Sequence, residues 1–492
     1  MSTNVAGSPR CGHFYAGVWN EPRNGVLATT LNPATQERLG CYPVGDARDV
    51  DAAVSAARDA FRSWRRSTPR DRAECLRKAA GILRDHKDEL ALVDSLNCGN
   101  PIREMAQDVL SAAAMLDYFA GVLPALKGET IPVHDGSLNL TLREPLGVIA
   151  RIYPSNHPLL FAASRIAAPI AAGNCMILKP PEQAPLSSVM LMELLADVFP
   201  PGVLNAVFGD RGTGAALVEH PGVAKVAFTG SVDGGCAVMS AAARHAAPTL
   251  LELGGKNALI VYPDADLDRA VDGAVRGMNF LWCGQSCGST SRILVHASIH
   301  DEFVQRLCRR IVECHRPGIP TDWSTTMGCL GSEAAYRKVM AYIEAGKAAG
   351  AHLALGGRHP PETQLQRGWF IEPTVFSEVT PAMSVAREEI FGPVVCVLSW
   401  DQEQIMLETV NGLPLGLTCS IWTRDLDTAI RVARDVEAGY CWVNNASTHF
   451  PGAPFGGYKR SGVEREESID ELFGYTQIKN VNIAAAPRRS ES

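Results

Sequence analysis

The chain has 492 residues, 46% hydrophobic and 20% charged, with 53 acidic against 46 basic side chains and a formal net charge of −7. That length exceeds what one hydrophobic core serves, so two or three domains are expected. The acidic balance and a pI near 6.0 argue against a dedicated nucleic-acid or anionic-membrane surface, which needs clustered basic side chains, and leave small-molecule work. Fourteen cysteines are scattered with no CxxC pair and no metal-ligand spacing, so reduced thiols in a cytoplasmic protein without a metal site are expected. Met1 to Asn20 lacks a basic-then-apolar export pattern. The most apolar stretch, Leu159 to Leu178, is broken by Arg165, Pro169, Gly173 and Asn174 and does not read as a membrane span.

Met1 to Gly25, rich in glycine and polar residues, predicts a loosely tied N-terminus. From Ala47 to Trp64 apolar residues recur at helical spacing (Val50, Ala53, Val54, Ala57, Phe61). They do so again from Pro69 to Asn97 (Leu76, Ala79, Ile82, Leu83, Leu90, Leu92), as amphipathic surface helices do. Pro101 opens a further helical run over Met105 to Leu123. Leu138 to Arg143 alternates apolar and polar residues like a half-exposed antiparallel strand, and Gly474 to Ile483 is a second strand-like run. Together they predict a small β arm, closed either within the chain or across subunits.

Between Gly147 and Leu253 strands and helices alternate, with strands expected at Val148–Tyr153, Cys175–Lys179, Leu204–Phe208, Ala224–Phe228 and Thr249–Leu253. Continuously apolar strands separated by helices predict a buried parallel sheet covered on both faces. A dinucleotide would sit at the strand C-termini. No G-x-G-x-x-G follows the first strand, and Gly209 to Gly214 misses that spacing. Phe228-Thr229-Gly230-Ser231, followed by Gly235, instead feeds a strand into a glycine turn and a helix whose free N–H groups can hold a pyrophosphate. Lys179-Pro180-Pro181-Glu182 places a cation and a carboxylate at another strand end, with a surface salt bridge as the alternative. Beyond Gly254 a second α/β unit runs to about Ser461, carrying the glycine-and-aromatic turns Glu389 to Pro393 and Pro454 to Gly462.

Two positions stand out chemically. Glu252 precedes a Gly254-Gly255 turn, and Cys287 lies in a loop of small and polar residues from Gly284 to Ser289. A thiol there can be exposed and ionised as a nucleophile, whereas most free cysteines are packed as small hydrophobes.

LELGGKN around Glu252 and GQSC ending at Cys287 resemble the two signature motifs of the aldehyde dehydrogenase superfamily, NAD(P)-dependent enzymes that oxidise aldehydes to acids. Further matches follow in order along nearly the whole chain. The resemblance implies a Rossmann-like NAD-binding domain (1–122 and 146–253), an α/β catalytic domain (254–463) and a small β oligomerisation arm (123–145 and 464–492), in a homodimer or homotetramer. It implies that Cys287 attacks the aldehyde, that the Asn156 amide and the Cys287 N–H stabilise the oxyanion, and that Glu252 activates water against the thioester. A helix N-cap is the alternative for Asn156. Cofactor contacts are implied for Ile152, Lys179, Glu182, Gly230, Ser231, Gly235, Leu253, Glu389 and Phe391. Glu182 on the adenosine ribose would favour NAD over NADP, because a carboxylate repels a 2′-phosphate. Glu466 and Arg165 would form a proton relay, although an arginine where a lysine is usual cannot act as a titrating donor. A solvated charge run is the alternative for Glu466.

Several positions depart from the commoner family pattern. Ser155 stands where an aromatic is frequent, Glu464 where glycine is typical, and Trp282 where asparagine often precedes the cysteine. Leu281 replaces the arginine of relatives that take carboxylated aldehydes, so a free acid on the substrate is disfavoured. Phe161, Trp282, Ser286, Phe450 and Phe455, with Tyr153 and His449, are expected to line an aromatic tunnel. Such walls suit an aryl, medium-chain or amino/quaternary-ammonium aldehyde, the last as in betaine aldehyde dehydrogenases. Two alternatives stay open. A coenzyme-A-acylating relative would commonly lack the Glu252 carboxylate, and a catalytically silent NAD-binding scaffold would lose Cys287, Glu252 or Asn156.

Overall fold

Five of the strands marked by continuous apolar runs lie parallel at the centre of an eight-stranded sheet in the computed structural model of the protein, which describes residues 11–134 and 137–484. From one edge to the other the strands are Val18–Asn20, His13–Tyr15, Leu204–Ala206, Cys175–Lys179, Val148–Ile152, Lys225–Thr229, Thr249–Glu252 and Gly462–Val463. The chain builds outward from Val148–Ile152 to one side, then returns to continue on the other. That reversal opens a crevice at the strand C-termini. Register sets Ile152 beside both Lys179 and Phe228, and Thr229 beside Glu252, so the ends of four strands share one level.

The second sheet has seven strands in the order His352–Leu355, Thr374–Ser377, Val394–Trp400, Arg292–His296, Ala258–Val261, Thr418–Trp422 and Tyr440–Val443. All its neighbours are parallel except the first pair. Each large sheet carries its own hydrophobic core, one drawn mainly from residues 14–250 and the other from residues 258–436. Leu472 and Tyr475, far along the chain, pack into the first core. The mixed α/β class read from the strand–helix alternation is the observed one.

Helix Ala47–Trp64 starts at a reciprocal cap in which Asp46 and Asp49 each accept from the other's end of the first turn, and it buries Val50, Ala53, Val54 and Ala57. The run from Pro69 is two helices, Pro69–Asp85 and Lys87–Cys98. His86, at φ −104° and ψ 22°, ends one and begins the next, a break that apolar spacing alone does not reveal. Helix Ile102–Val122 follows. By length and composition the stretch Ile102–Ala125 could cross a membrane, but 50% of its most apolar window is buried inside the protein, as in a core helix. Leu159 to Leu178 comprises two short helices and most of the strand Cys175–Lys179.

Residues 13–20, expected to be loosely tied, instead form a hairpin that extends the first sheet. Phe14 is buried there with its ring 5.3 Å from Trp19, and that apolar edge is what holds the segment. Residues 1–10 of the same expected tail lie outside the described residues. A disulfide joins Cys11 to Cys41, so the expectation of reduced thiols fails at that pair; twelve other cysteines are free. A separation of 30 residues carries no pairing signal in sequence. The expected arm strands are Ser137–Pro145 and Thr476–Ala484, antiparallel within the one chain, with Thr130–Ile131 as a third strand. Asn139 and Asn480 exchange side-chain hydrogen bonds of 3.1 and 2.9 Å across the register.

Asp94, on helix Lys87–Cys98, is fully buried and accepts from the Leu159 N–H at 3.1 Å, pinning the start of helix Pro158–Ser164. Burial pushes its carboxyl up to about 7. The folded chain therefore holds this proton more tightly than the unfolded chain does. Stability falls as pH rises from the ordinary carboxylate range through about 7. Asp94→Asn keeps an acceptor and removes the titration. Thermal melts at about pH 5 and about pH 8 are expected to lie closer together for the variant than for the wild type; an equal gap would contradict the assignment.

Candidate active site

Cys287 is reached from helix Leu267–Gly277 through a 3-10 turn, Phe280–Trp282, flanked by left-handed Asn279 and Cys283. Gly284 follows at φ +67°, where a Cβ would lie 2.2 Å from the Gly392 carbonyl oxygen, so only glycine lets the loop pass. Asn257, the last residue of the LELGGKN run, holds what comes next. Its Nδ2 donates to the Cys287 carbonyl at 2.6 Å and to the Ser289 carbonyl at 3.0 Å, while its Oδ1 accepts from the Thr418 N–H at 3.0 Å. The two motifs are thus tied by one buried amide.

Asn156 approaches from the first sheet. Its Nδ2 donates to the Gln285 carbonyl at 2.8 Å, and its own carbonyl accepts from Asn100 Nδ2 at 2.7 Å. Its side chain caps no helix, since the cap of Pro158–Ser164 is His157, without a side-chain cap bond. The N-cap alternative therefore fails. Gln285 is itself anchored, accepting from the Gly331 N–H at 3.1 Å and donating to the Trp282 and Cys329 carbonyls at 3.3 Å.

Glu252 ends its strand buried, and neither carboxylate oxygen has a hydrogen-bond partner. Burial, then the charge of Glu466, pushes its carboxyl well above the usual range. Part of Cys287 reaches the surface. Even so, desolvation, and after it the charges of Glu252 and Glu389, pushes its thiol up to about 12. The expectation of a readily ionised thiol is therefore not met here: no cation offsets the two carboxylates.

Behind Glu252 lies a buried ionic cluster. Glu466 is 1% exposed and binds Arg151 at 2.6 Å and Arg165 Nε at 3.1 Å. It is no solvated charge run. Arg165 also donates to Glu467 at 2.9 Å, and Glu467 meets His449 Nδ1 at 3.2 Å. Burial opposes the Arg165 charge, but Glu466 and Glu467 outweigh it and raise its pKa. Burial likewise opposes the Glu467 charge, yet His449 and Arg165 hold that carboxyl down at about 2. Glu471 accepts from the Glu467 N–H at 2.8 Å and is pushed up to about 8 by burial and by Glu466. Arg151, Glu467 and Glu471 escaped the sequence reading because each looks like an ordinary charged residue until the fold buries it.

Of the residues expected to touch the cofactor, Ile152 and Lys179 lie side by side at their strand ends, and Gly230 and Ser231 follow a third strand. Lys179 is buried, and desolvation lowers its pKa against the opposing pull of Glu182 and Asp210. Glu182 is half-buried and accepts from Gln183 at 3.1 Å. Among the described residues it makes no ion pair within 4.0 Å with Lys179, so the salt-bridge alternative is not formed. Ser231 Oγ accepts from the Gly234 N–H at 3.1 Å, capping helix Val232–Ala242 and leaving its O–H free to donate. Gly230 N–H donates to the Glu252 carbonyl at 3.0 Å, and Leu253 N–H to the Ser461 carbonyl at 2.9 Å. A Cβ on Gly235 would come within 2.6 Å of the Leu253 side chain, which would have to shift to admit it. Glu389 accepts from the Gly255 N–H at 3.1 Å, and Phe391 takes a left-handed φ of 59°.

The expected tunnel residues divide. Phe161 and Trp282 flank His157, with ring centroids 5.9 and 4.6 Å away. Phe455 is buried 4.7 Å from His449, which stacks on Tyr440. Tyr153 turns away to Ser188, at 2.8 Å. Ser286 lines a small cleft with Glu389 and Phe391, on the cofactor side. Phe450 is 56% exposed and joins neither aromatic group.

A sequence model described as the aldehyde dehydrogenase family matches residues 19–481. This chain belongs to that family. Among curated aldehyde dehydrogenases, tropH of Talaromyces stipitatus is 50% identical over 476 residues, covering 96% of this chain and 92% of that one. The NAD+ complex of a Bacillus cereus aldehyde dehydrogenase superposes with a TM-score of 0.94 at 37% identity, covering 97% of each chain. The NAD+ complex of betaine aldehyde dehydrogenase (betB) from Staphylococcus aureus gives 0.94 at 34% identity, covering 98% of this chain and 96% of that one.

The raised Cys287 thiol gives this aldehyde dehydrogenase a measurable signature. Alkylation of Cys287 by iodoacetamide, followed by peptide mass mapping, is expected to accelerate about tenfold per pH unit from about pH 7 to about pH 10, because only the thiolate reacts. Levelling near pH 8.5, the ordinary cysteine value, would show that the carboxylates do not act on the thiol.

Proposed function

We propose that the protein oxidises a non-carboxylated aldehyde to its acid with NAD, through a thioester on Cys287. The observation that carries the reading is Glu252: a buried carboxyl with both oxygens unpartnered, electrostatically coupled to the one cysteine of the GQSC loop. A carboxylate poised in this way takes a proton and finds no competing donor.

Glu252 accepts the Cys287 thiol proton as the sulfur forms its bond to the aldehyde carbon. The resulting oxyanion is met by the Asn156 amide and the Cys287 N–H. NAD bound in the crevice would supply the hydride acceptor that lets this oxyanion collapse to a thioester. Glu252 then takes a proton from water, the hydroxide adds to the thioester carbon, and Cys287 leaves as thiolate. The balance is aldehyde, NAD+ and water in; acid, NADH and a proton out. Arg165 holds Glu466 and Glu467 in place as a fixed charge, Glu467 stays ionised, and Glu466 and Glu471 carry protons away from Glu252.

Ile152, Lys179, Glu182, Ser231, Leu253 and Glu389 would hold NAD. The glycines at 230 and 235 give it close approach to backbone, and the Glu182 carboxylate would turn away a 2′-phosphate. The NAD-binding portion would span 1–122 and 146–253, the catalytic portion 254–463, and the arm 123–145 and 464–492. Ile131, Leu138, Leu142, Ile478 and Ile483 are exposed on the arm and would be covered in a homodimer or homotetramer. The cytoplasm suits an enzyme whose nucleophile is a free thiol. The aromatic groups favour aryl, medium-chain or quaternary-ammonium aldehydes, and the retained, unpartnered Glu252 favours hydrolysis over transfer to coenzyme A.

NADH formation with benzaldehyde, hexanal, betaine aldehyde and succinic semialdehyde tests the reading. NAD-dependent turnover is expected with one of the first three, with succinic semialdehyde poor. Cys287→Ala should abolish it, and Asn156→Ala should lower kcat roughly a hundredfold or more, the scale of a lost oxyanion donor. An active Cys287→Ala variant, or acyl-CoA formation when coenzyme A is added, would overturn the mechanism. A preference for NADP would overturn the role of Glu182.

A further inference from the structure

The residue after Asn156 is a histidine set into an otherwise apolar wall. His157 is buried, packs edge-on against Trp282 at 4.6 Å and Phe161 at 5.9 Å, and donates from Nδ1 to Asp108 Oδ2 at 2.7 Å. Asp108 reaches it from helix Ile102–Val122 and is itself buried. Asp94 pins the same segment from the neighbouring helix through the Leu159 N–H. The aspartate fixes the imidazole's orientation and tautomer, as a carboxylate on one ring nitrogen does. That leaves Nε2 as an acceptor, and no group of the described residues bonds it.

A buried ring nitrogen left unpaired is costly and calls for a partner. A hydroxyl donates to such an acceptor, and the flanking Trp282 and Phe161 rings suit one carried on an aromatic body. Phenylalanine at 157 would pack equally well against Trp282 and Phe161 without needing a buried carboxylate behind it.

Resting on the aldehyde-oxidising reading above, we propose that His157, oriented by Asp108, selects aldehydes that carry a hydroxyl on the body of the molecule, hydroxylated aromatic aldehydes above all. Asp108 acts through His157 and is a positioning residue. His157 touches the substrate hydroxyl, away from the reacting carbon.

The test compares kcat/KM for 3-hydroxybenzaldehyde, 3-methoxybenzaldehyde and benzaldehyde in the wild type, His157→Phe and Asp108→Asn. Ratios between substrates within one protein cancel any loss of folded enzyme. The wild type is expected to prefer the hydroxy compound over benzaldehyde by about tenfold or more, because a site built to hydrogen-bond a hydroxyl discriminates against analogues lacking it. The methoxy compound, which accepts but cannot donate, should fall well below the hydroxy one. His157→Phe should bring the hydroxy-to-benzaldehyde ratio to about one, and Asp108→Asn should lower it several-fold by freeing the tautomer. A wild type without the preference, or a ratio untouched by His157→Phe, overturns the inference. If Asp108→Asn alone leaves the ratio intact, the positioning role is overturned. If the wild type forms no NADH from any of the three or from the earlier panel, it is the aldehyde-oxidising reading that fails.

Discussion

The active-site geometry depends on one buried amide, that of Asn257. It sits where the glycine turn after Glu252 becomes the first strand of the second sheet, and it spans the Cys287 and Ser289 carbonyls on one side and the Thr418 N–H on the other. The nucleophile loop has no regular structure to set its path between the 3-10 turn at 280–282 and the strand at Arg292. Its carbonyls must find donors inside the protein or carry the penalty of burial unpaired. Asn257 supplies two of them, Thr418 Oγ1 supplies the Gly288 carbonyl at 3.2 Å, and the loop is thereby fixed to both sheets. Asn156 Nδ2 does the same for the Gln285 carbonyl. Carboxylate, thiol and amide come from three separate stretches of chain, and these backbone-directed bonds are what register them.

A second constraint is electrostatic. Glu252, Glu466, Glu467 and Glu471 crowd together away from solvent, and Arg151 and Arg165 are the cations that make this tolerable. The arginines pair with Glu466 and Glu467 and leave Glu252 without an ion pair. Their partners set the titrations apart: His449 and Arg165 hold Glu467 down at about 2, while burial and the charge of Glu466 push Glu471 up to about 8. A carboxyl near neutrality is created by the company it keeps. Arginine at 165, which cannot lose its proton, suits this arrangement better than a titrating lysine would, because the cluster's net charge does not depend on its state.

Much of the fold was legible in sequence because it follows from burial periodicity. The expected strand Cys175–Lys179 and helix Ala47–Trp64 match the observed ones to the residue, and the other sheet strands match within one or two. What stayed hidden depends on contacts remote in the chain: the hairpin at 13–20, the Cys11–Cys41 bond and the break at His86. At the site, the motifs drew attention to Cys287, Glu252 and Asn156. They could not show that Asn257 and Gln285 position them, or that the thiol's surroundings raise its pKa. A residue's charge environment is set by neighbours hundreds of positions away; Arg151 and Glu466, 315 positions apart, illustrate it.

The pairing of Ser137–Pro145 with Thr476–Ala484 joins segments more than 330 residues apart, and the same C-terminal stretch delivers Glu466, Glu467 and Glu471 to Glu252. During synthesis on the ribosome, therefore, an N-terminal portion can collapse around its own core long before its arm strand has a partner. Until the last residues emerge, that strand offers an open edge bearing Leu138 and Leu142, the kind of surface to which other chains or a chaperone attach. The buried ionic cluster also lacks these three carboxyls for that whole interval. A truncated or nascent chain thus holds Cys287 and Glu252 without that cluster behind them, and its completion coincides with closure of the arm.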